Sequence, residues 1–394
     1  MDRVPNLPSV PAPPNPGRGL ILSANDRFRM RIGFVNTGTL QQNASTLRCL
    51  HLGKLLVRDG HDVSLFLTDQ ADNRQRYAEA VHGIRMHYSA VGSGREQWSK
   101  IRLLTRERFD VLHCMSSGSS VHFPAWLSKW RHGGSARLIM DFDEWQSLWI
   151  PYPKRAYQSM WERFACATSD AVIFASSYLA RTLGHAVAAS RRFVLPYAFD
   201  EQDFAEPSLP PEKVRQRYAG RRLAVYMGNL LPQFDAERVL DVVAHVRQSH
   251  PDVLFLFIGG GPLREEFQRR IDVNGLADHA RLLGFVPTPE MIQHLRAADV
   301  LLLPIRDSQL NRSRSPNKLF QYAAARRPIV TNRLENIHDA VGEEVSYFDY
   351  DSIDDFARAI DTALRPGAPI PSPMTVARNS WSARYATYRE IIGA

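Results

Sequence analysis

The sequence predicts an α/β protein of two Rossmann-like domains, each a doubly wound parallel sheet, facing each other across a cleft. Three observations carry that expectation. The chain has 394 residues, beyond the size at which one hydrophobic core usually divides, so two domains of roughly 150 to 200 residues are expected. From Arg31 onward, short β-rich runs alternate with helical patterns, the signature of parallel strands joined by crossover helices. A break rich in acids and prolines at residues 200–211, with Pro207, Pro210 and Pro211, separates two such series and reads as a linker.

Taken in order, residues 1–18 carry six prolines and lack the apolar core and cleavage site of a secretory signal, so residues 1–28 are expected to be a disordered tail. The first series has strand candidates at 31–36, 62–68, 111–115, 137–142, 171–175 and 192–196, with helices such as 45–58 and 157–168 between them. The second has strands at 222–228, 253–258, 280–284, 300–305, 329–331 and 345–348 and helices at 236–249, 263–275, 289–298 and 316–326. In such sheets a ligand sits beyond the carboxyl ends of the strands, where strand order reverses.

Composition narrows the function classes. With 44% hydrophobic and 23% charged residues the chain is an ordinary globular protein. No apolar run approaches the roughly 18 residues of a spanning helix. Three scattered cysteines, Cys49, Cys114 and Cys166, make no metal-type pair and suit a reducing cytoplasm. The net charge of +8 is uneven: residues 1–200 hold 25 Lys and Arg against 16 Asp and Glu, or +9, which leaves −1 for the remainder. Two readings of this stay open. Either the first domain meets an anionic acceptor or the inner face of a membrane as a peripheral protein, or its arginines simply solvate the surface. No motif of a nucleic-acid reader accompanies the charge, so nucleic acid is not expected as a partner.

The most informative stretch is Arg306 to Gln321, a polar loop that leaves a buried strand and enters a helix. Ser315 is expected as N-cap and Pro316 as first helical residue. Asn317 and Lys318 then fall in the first turn, where unpaired amides and the positive dipole end attract an anion. Only six of 49 basic residues are lysines, so a lysine here is not what composition supplies by default. Gln321 shares a helix face with Asn317. A capped helix with a solvated lysine explains the same pattern. Gly259-Gly260-Gly261-Pro262 ends a strand and opens a helix, but it is not a complete dinucleotide fingerprint, and a ligand-free turn explains it equally. In the first series Gly38 follows the first strand and offers room for a ligand. Asp141, Asp143 and Glu144 stand at another strand end, where a carboxylate can accept hydrogen bonds from a ligand's hydroxyl groups or take a proton. His113 occupies a third strand end, although a buried neutral histidine is the commoner case.

From Arg31 onward the chain resembles the retaining family-4 glycosyltransferases of GT-B fold. The resemblance rests on nine stretches in order: Arg58–Val63, Phe109–His113, Ser169–Val172 with Ser176-Ser177, Leu195–Asp200, Tyr226–Leu230, Ile258–Pro262, Leu283–Pro287, Ala298–Val300 and Ser315–Ala323. It implies an acceptor-binding domain at 29–203, a nucleotide-sugar domain at 204–375 and a final helix, 376–394, that returns to the first domain. It further implies transfer of a sugar from a nucleoside-diphosphate sugar to an acceptor hydroxyl with retention of configuration, in glycan, glycolipid or natural-product biosynthesis. The donor is a co-substrate, so no cofactor is expected, and no metal ligand set is visible.

By position, the resemblance assigns the donor to Gly38, Gly228, Asn229, Gly260, Phe285, Val286, Arg312, Ser313, Ser315, Asn317, Lys318 and Gln321. Lys318, Arg314 and Asp143 take the catalytic roles, with His113, Asp141 and Glu144 on the acceptor side. The chain departs from the family in two respects. The two glutamates spaced by seven residues are replaced by Ser313 and Gln321, and the usual cation pair after the first C-terminal strand is replaced by Asn229 and by Gln233-Phe234-Asp235. Lys318, with Arg312 or Arg314, then has to supply the charge that meets the phosphates. A non-catalytic partner subunit or a nucleotide-sugar epimerase on the same fold are the alternatives.

Overall fold

The structure is a computed structural model, and it describes residues 29–38, 44–70, 73, 80–205 and 210–394. The expected tail, 1–28, and Pro207 of the linker lie outside the described residues.

The first sheet has eight strands. They are β1 (Arg31–Val35), β2 (Asp62–Thr68), β3 (Ala80–Val81), β4 (Ile84–Ser89), β5 (Val111–Cys114), β6 (Arg137–Phe142), β7 (Ala171–Phe174) and β8 (Arg192–Val194), in the order β3-β4-β2-β1-β5-β6-β7-β8. All pairings are parallel except that of the two-residue edge strand β3 with β4. β5, β6 and β7 are buried along almost their whole length, as strands covered on both faces require. The second sheet is entirely parallel: β9 (Arg222–Met227), β10 (Val253–Ile258), β11 (Ala280–Gly284), β12 (Val300–Leu303), β13 (Ile329–Thr331) and β14 (Ser346–Tyr347), in the order β11-β10-β9-β12-β13-β14.

Strands β3 and β4 are absent from the expected set. The sequence of β4, Ile-Arg-Met-His-Tyr-Ser, offers no apolar run, since only one of its faces meets the core. The segment at residues 200–211 is not featureless either, as Glu201–Ala205 forms a short helix.

Strand order reverses between β1 and β5 in one sheet and between β9 and β12 in the other, and the loops after β9 and β12 open toward the first domain. Several contacts join the halves on one side of the cleft. Ser176 Oγ donates to the carbonyls of Arg312 and Ser313 at 2.9 and 3.0 Å, and the amide of Tyr197 donates to Ser315 Oγ at 2.8 Å. The last helix, Trp381–Ile392, then packs back on the first domain. Its Tyr385 hydroxyl donates to Asp59 at 2.8 Å, and its Trp381 ring stacks on His51. All three cysteines are buried and free. Among the described residues no helix is long and apolar enough to cross a membrane.

Candidate active site

A cavity of about 430 Å³ lies between the domains at the carboxyl ends of β9 and β12. The second domain contributes Gly228 and Asn229 after β9, Gly259 after β10, Phe285 and Val286 after β11, and Arg314 to Lys318 with Gln321. The first domain contributes Ala44, Leu47, Asp143, Glu144, Trp149 and Tyr197.

Two glycines make the floor possible. At Gly228 a Cβ would come within 2.2 Å of Lys318 Nζ, and at Gly259 within 2.2 Å of the Gly228 carbonyl oxygen. Both also have positive φ, +154° and +124°, so the backbone bends where a side chain has neither space nor an easy conformation.

The helix beyond the loop runs Asn317–Ala325 and starts one residue later than expected. Pro316 is its N-cap and makes no side-chain cap bond. Ser315 does not cap it, because its hydroxyl oxygen is taken by the Tyr197 amide of the other domain. The Leu319 amide bonds the Pro316 carbonyl, which leaves the first-turn amides of the cavity-lining residues Asn317 and Lys318 for an anion. Lys318 is half-buried there. Its Nζ donates to Tyr226 Oη at 3.1 Å and lies 4.7 and 5.1 Å from the ring centroids of Tyr226 and Phe234. Burial, reinforced by Arg314, lowers its pKa to about 7.

Arg314 supplies the second cation. Its guanidinium sits between two rings, 4.6 Å from Trp149 and 5.5 Å from Phe234. Nε stands 3.6 Å from Glu144 Oε2, yet among the described residues neither Nε nor Nη2 has a hydrogen-bond partner. Across the cavity, Asp143 accepts a short hydrogen bond from Ser45 Oγ. Burial, then the neighbouring Glu144, pushes Asp143 up to about 7. Burial also raises Glu144, against the pull of Arg314. The site thus opposes two under-partnered cations to two carboxyl groups that resist ionisation.

Two family models match this chain: glycosyl transferase 4-like domain over residues 44–198, and glycosyl transferases group 1 over residues 221–365. The chain belongs to the family-4-like glycosyltransferases, with GT-B fold. The GDP-mannose-dependent alpha-(1-6)-phosphatidylinositol monomannoside mannosyltransferase of Mycobacterium tuberculosis is 27% identical over 180 residues, 45% of this chain and 46% of that protein. The match thus spans about half of that relative's length. The phosphatidylinositol N-acetylglucosaminyltransferase GPI3 subunit of Saccharomyces cerevisiae is 22% identical over 334 residues, 80% of this chain and 70% of that one. In fold the chain is similar to HepE of Anabaena in complex with UDP and glucose, with a TM-score of 0.72 and 15% identity, covering 93% of this chain and all of that one.

Within this glycosyltransferase several expected site residues lie elsewhere. Arg312 is exposed, pairs with Asp307 at 2.5 Å and points away from the cavity. Ser313 is buried, accepting from the Trp145 amide at 3.2 Å and donating to the Leu310 carbonyl at 2.7 Å, so it braces the domains and does not border the cavity. Gly38 lies off the cavity, its carbonyl accepting from Asn73. Gly259 borders the cavity where Gly260 was expected.

His113 and Asp141 are fully buried inside β5 and β6. Asp141 accepts from Arg48 Nε at 2.7 Å and lies 3.2 Å from His113, whose other ring nitrogen is 2.8 Å from the Tyr388 hydroxyl. Burial opposes the Asp141 charge, but Arg48 and His113 hold its pKa below the ordinary value. This cluster ties the last helix to the first sheet and has no access to the cavity. Asp143, two residues on and past the strand end, projects from the same face and does reach it. Phe234, Trp149 and Tyr197 were not foreseen. They are aromatic residues without a local motif, and only their neighbours give them a role.

Proposed function

We propose that the chain transfers a hexosyl unit from a nucleoside-diphosphate sugar to an acceptor hydroxyl, with retention of configuration and without a metal ion. The observation that supports this best is the convergence of Lys318, Arg314 and the open first turn at Asn317 on one cavity. Three positively polarised groups face a volume suited to a diphosphate, and among the described residues no carboxylate of their own domain pairs with them by direct contact, Asp235 acting on both cations only from a distance.

In this reading the base and ribose lie along Phe285, Val286 and Gln321, and the sugar extends toward Asp143 and Glu144. Departure of the diphosphate breaks the bond between its oxygen and the anomeric carbon. The acceptor oxygen bonds to that carbon from the same face, and its proton passes to the departing phosphate oxygen. Lys318, Arg314 and the first-turn amides stabilise the charge as it develops, the role a divalent ion fills elsewhere. Asp143, protonated near neutrality, and Glu144 orient hydroxyl groups of donor sugar and acceptor.

The +9 carried by residues 1–200 supports an anionic or lipid-linked acceptor at the inner face of a membrane. The test incubates the protein with several nucleoside-diphosphate sugars in excess chelator and follows donor hydrolysis and transfer separately. Release of nucleoside diphosphate with glycosylated product supports the proposal. A partner subunit without catalysis shows neither, and an epimerase changes the sugar without releasing nucleotide.

A further inference from the structure

The surface beside the cavity mouth has its own pattern. Trp149, which lies against Arg314, is 37% exposed, and five residues on the chain enters the helix Lys154–Thr168. Tyr152, in the turn before this helix, and Tyr157 and Met160 within it are 76, 55 and 53% exposed. Tyr157 and Met160 are three apart and share its outer face. The ring of Tyr157 begins a continuous ladder. It contacts Trp161 (6.1 Å between centroids), Trp161 contacts Phe123 (6.0 Å), Phe123 contacts Trp126 (5.8 Å), and Trp126 contacts Trp130 (6.2 Å). Phe123, Trp126 and Trp130 belong to the neighbouring helix His122–Arg131, and Trp130 ends the ladder 63% exposed.

Charge on this face is one-sided. The two helices and the turn before Lys154 carry Lys129, Arg131, Lys154, Arg155 and Arg163 against a single acid, Glu162. Glu162 is buried and accepts from the Ser147 amide at 2.7 Å, so it does not offset the cations outside. Lys129 is the one of these cations held by a carboxylate, that of Asp170. Apolar and aromatic tips framed by cations, on a helix only partly embedded, are what a headgroup layer selects: the rings sit at the polar boundary and the cations meet anionic lipid.

We propose that this aromatic and basic face is the surface by which the protein docks on an anionic lipid bilayer, with the cavity mouth at Trp149 turned toward the membrane. The proposal rests on the reading of a lipid-linked acceptor and names the part of the chain that meets it. Shape alone leaves a second copy of the chain as another occupant. The uncompensated charge decides against it, because, with Lys129 held by Asp170, two such faces brought together would still oppose four cations to four.

Vesicle binding tests this without any sugar, so its outcome is separable from that of the transferase assay. The full chain is sedimented with vesicles of phosphatidylglycerol and phosphatidylcholine, and with phosphatidylcholine alone, while tryptophan emission is followed. Binding to the anionic vesicles with a blue shift, weakened as salt rises, is the expected result. The double variant Lys154→Gln/Arg163→Gln is expected to bind about 25-fold more weakly, roughly fivefold for each cation lost. Tyr157→Asp/Met160→Asp is expected to lose the blue shift while keeping its melting temperature, since both side chains are exposed. Equal binding to neutral vesicles, unchanged binding of either variant, or no vesicle binding together with a dimer that Met160→Asp dissociates, overturns the proposal.

Discussion

Arg314 and Glu144 face each other across the cleft from different domains, Nε to Oε2 3.6 Å apart, at a distance too long for a hydrogen bond. The pair is close enough to attract and too loose to hold, so an anion entering the cavity competes for Arg314 with a weak partner. Removing that partner's charge should help the anion. Glu144→Gln is expected to raise affinity for a nucleoside diphosphate about fivefold, in line with roughly 1 kcal/mol for a solvent-touched ion pair. Titration calorimetry checks this, and weaker binding by the variant would mean that Glu144 itself touches the ligand.

Lys318 is expected to matter more than any other lysine. It is not the exposed first-turn residue that the sequence suggested, because its amine lies against Tyr226 and Phe234. Lys318→Met should cost about 1.5 to 3 kcal/mol of diphosphate binding, or some 10- to 150-fold, and lower turnover with it. Its melting temperature should hold or rise at pH 6, where the native amine carries a half-buried charge. Unchanged nucleotide affinity would move the phosphate site elsewhere.

The lowered pKa of Lys318 sets the sign of a pH dependence. The free protein holds the amine with a pKa of about 7 against 10.5 for an ordinary lysine. Between those values the unfolded chain binds the extra proton, so this group's contribution to stability rises with pH across that window. Diphosphate binding behaves oppositely. Only the charged amine pairs with the anion, so apparent affinity should fall about tenfold per pH unit above 7, until the raised pKa of the complex is reached. Calorimetry in buffers of different ionisation enthalpy should show proton uptake at pH 8, and Lys318→Met should abolish it.

Asp141 is expected to govern stability and not catalysis. Asp141→Ala leaves the buried guanidinium of Arg48 without its carboxylate and should cost about 3 to 5 kcal/mol. Chemical denaturation measures this. Asp143→Asn, by contrast, should change turnover with little change in unfolding midpoint.

The first two glycines of the 259–261 run are expected to differ. A Cβ at Gly259 meets the carbonyl of Gly228, which is backbone, whereas at Gly260 it meets the ring of Phe285, which is 71% exposed and can swing aside. Gly259→Ala should distort the cavity floor and abolish nucleotide binding in a thermal-shift assay. Gly260→Ala should bind within a few-fold of the native chain.

What the sequence determined by itself was local. The alternation of β-rich runs with helical patterns specified two parallel-sheet units, since a strand buried on both faces must be apolar along its length, as in Val253–Ile258. The placement of Lys318 in the first turn of a helix was legible for the same reason, as it depends only on neighbours in the chain. The strand Ile84–Ser89 was not legible, because one covered face leaves too few apolar residues to notice.

The tertiary structure decided which loop side chains face the cavity. Ser176, Trp145 and Tyr197 of the first domain bond to residues 312–315, and this grip turns Arg314 inward, sends Arg312 out to Asp307 and takes the Ser315 hydroxyl from the helix it was expected to cap. His113 and Asp141 likewise became supports for the last helix only once Arg48 and Tyr388 arrived from distant parts of the chain. A loop residue's direction is set by whichever partner satisfies its polar atoms at least cost, and the first-domain partners that grip residues 312–315 lie more than a hundred residues away in sequence, beyond the reach of any local pattern.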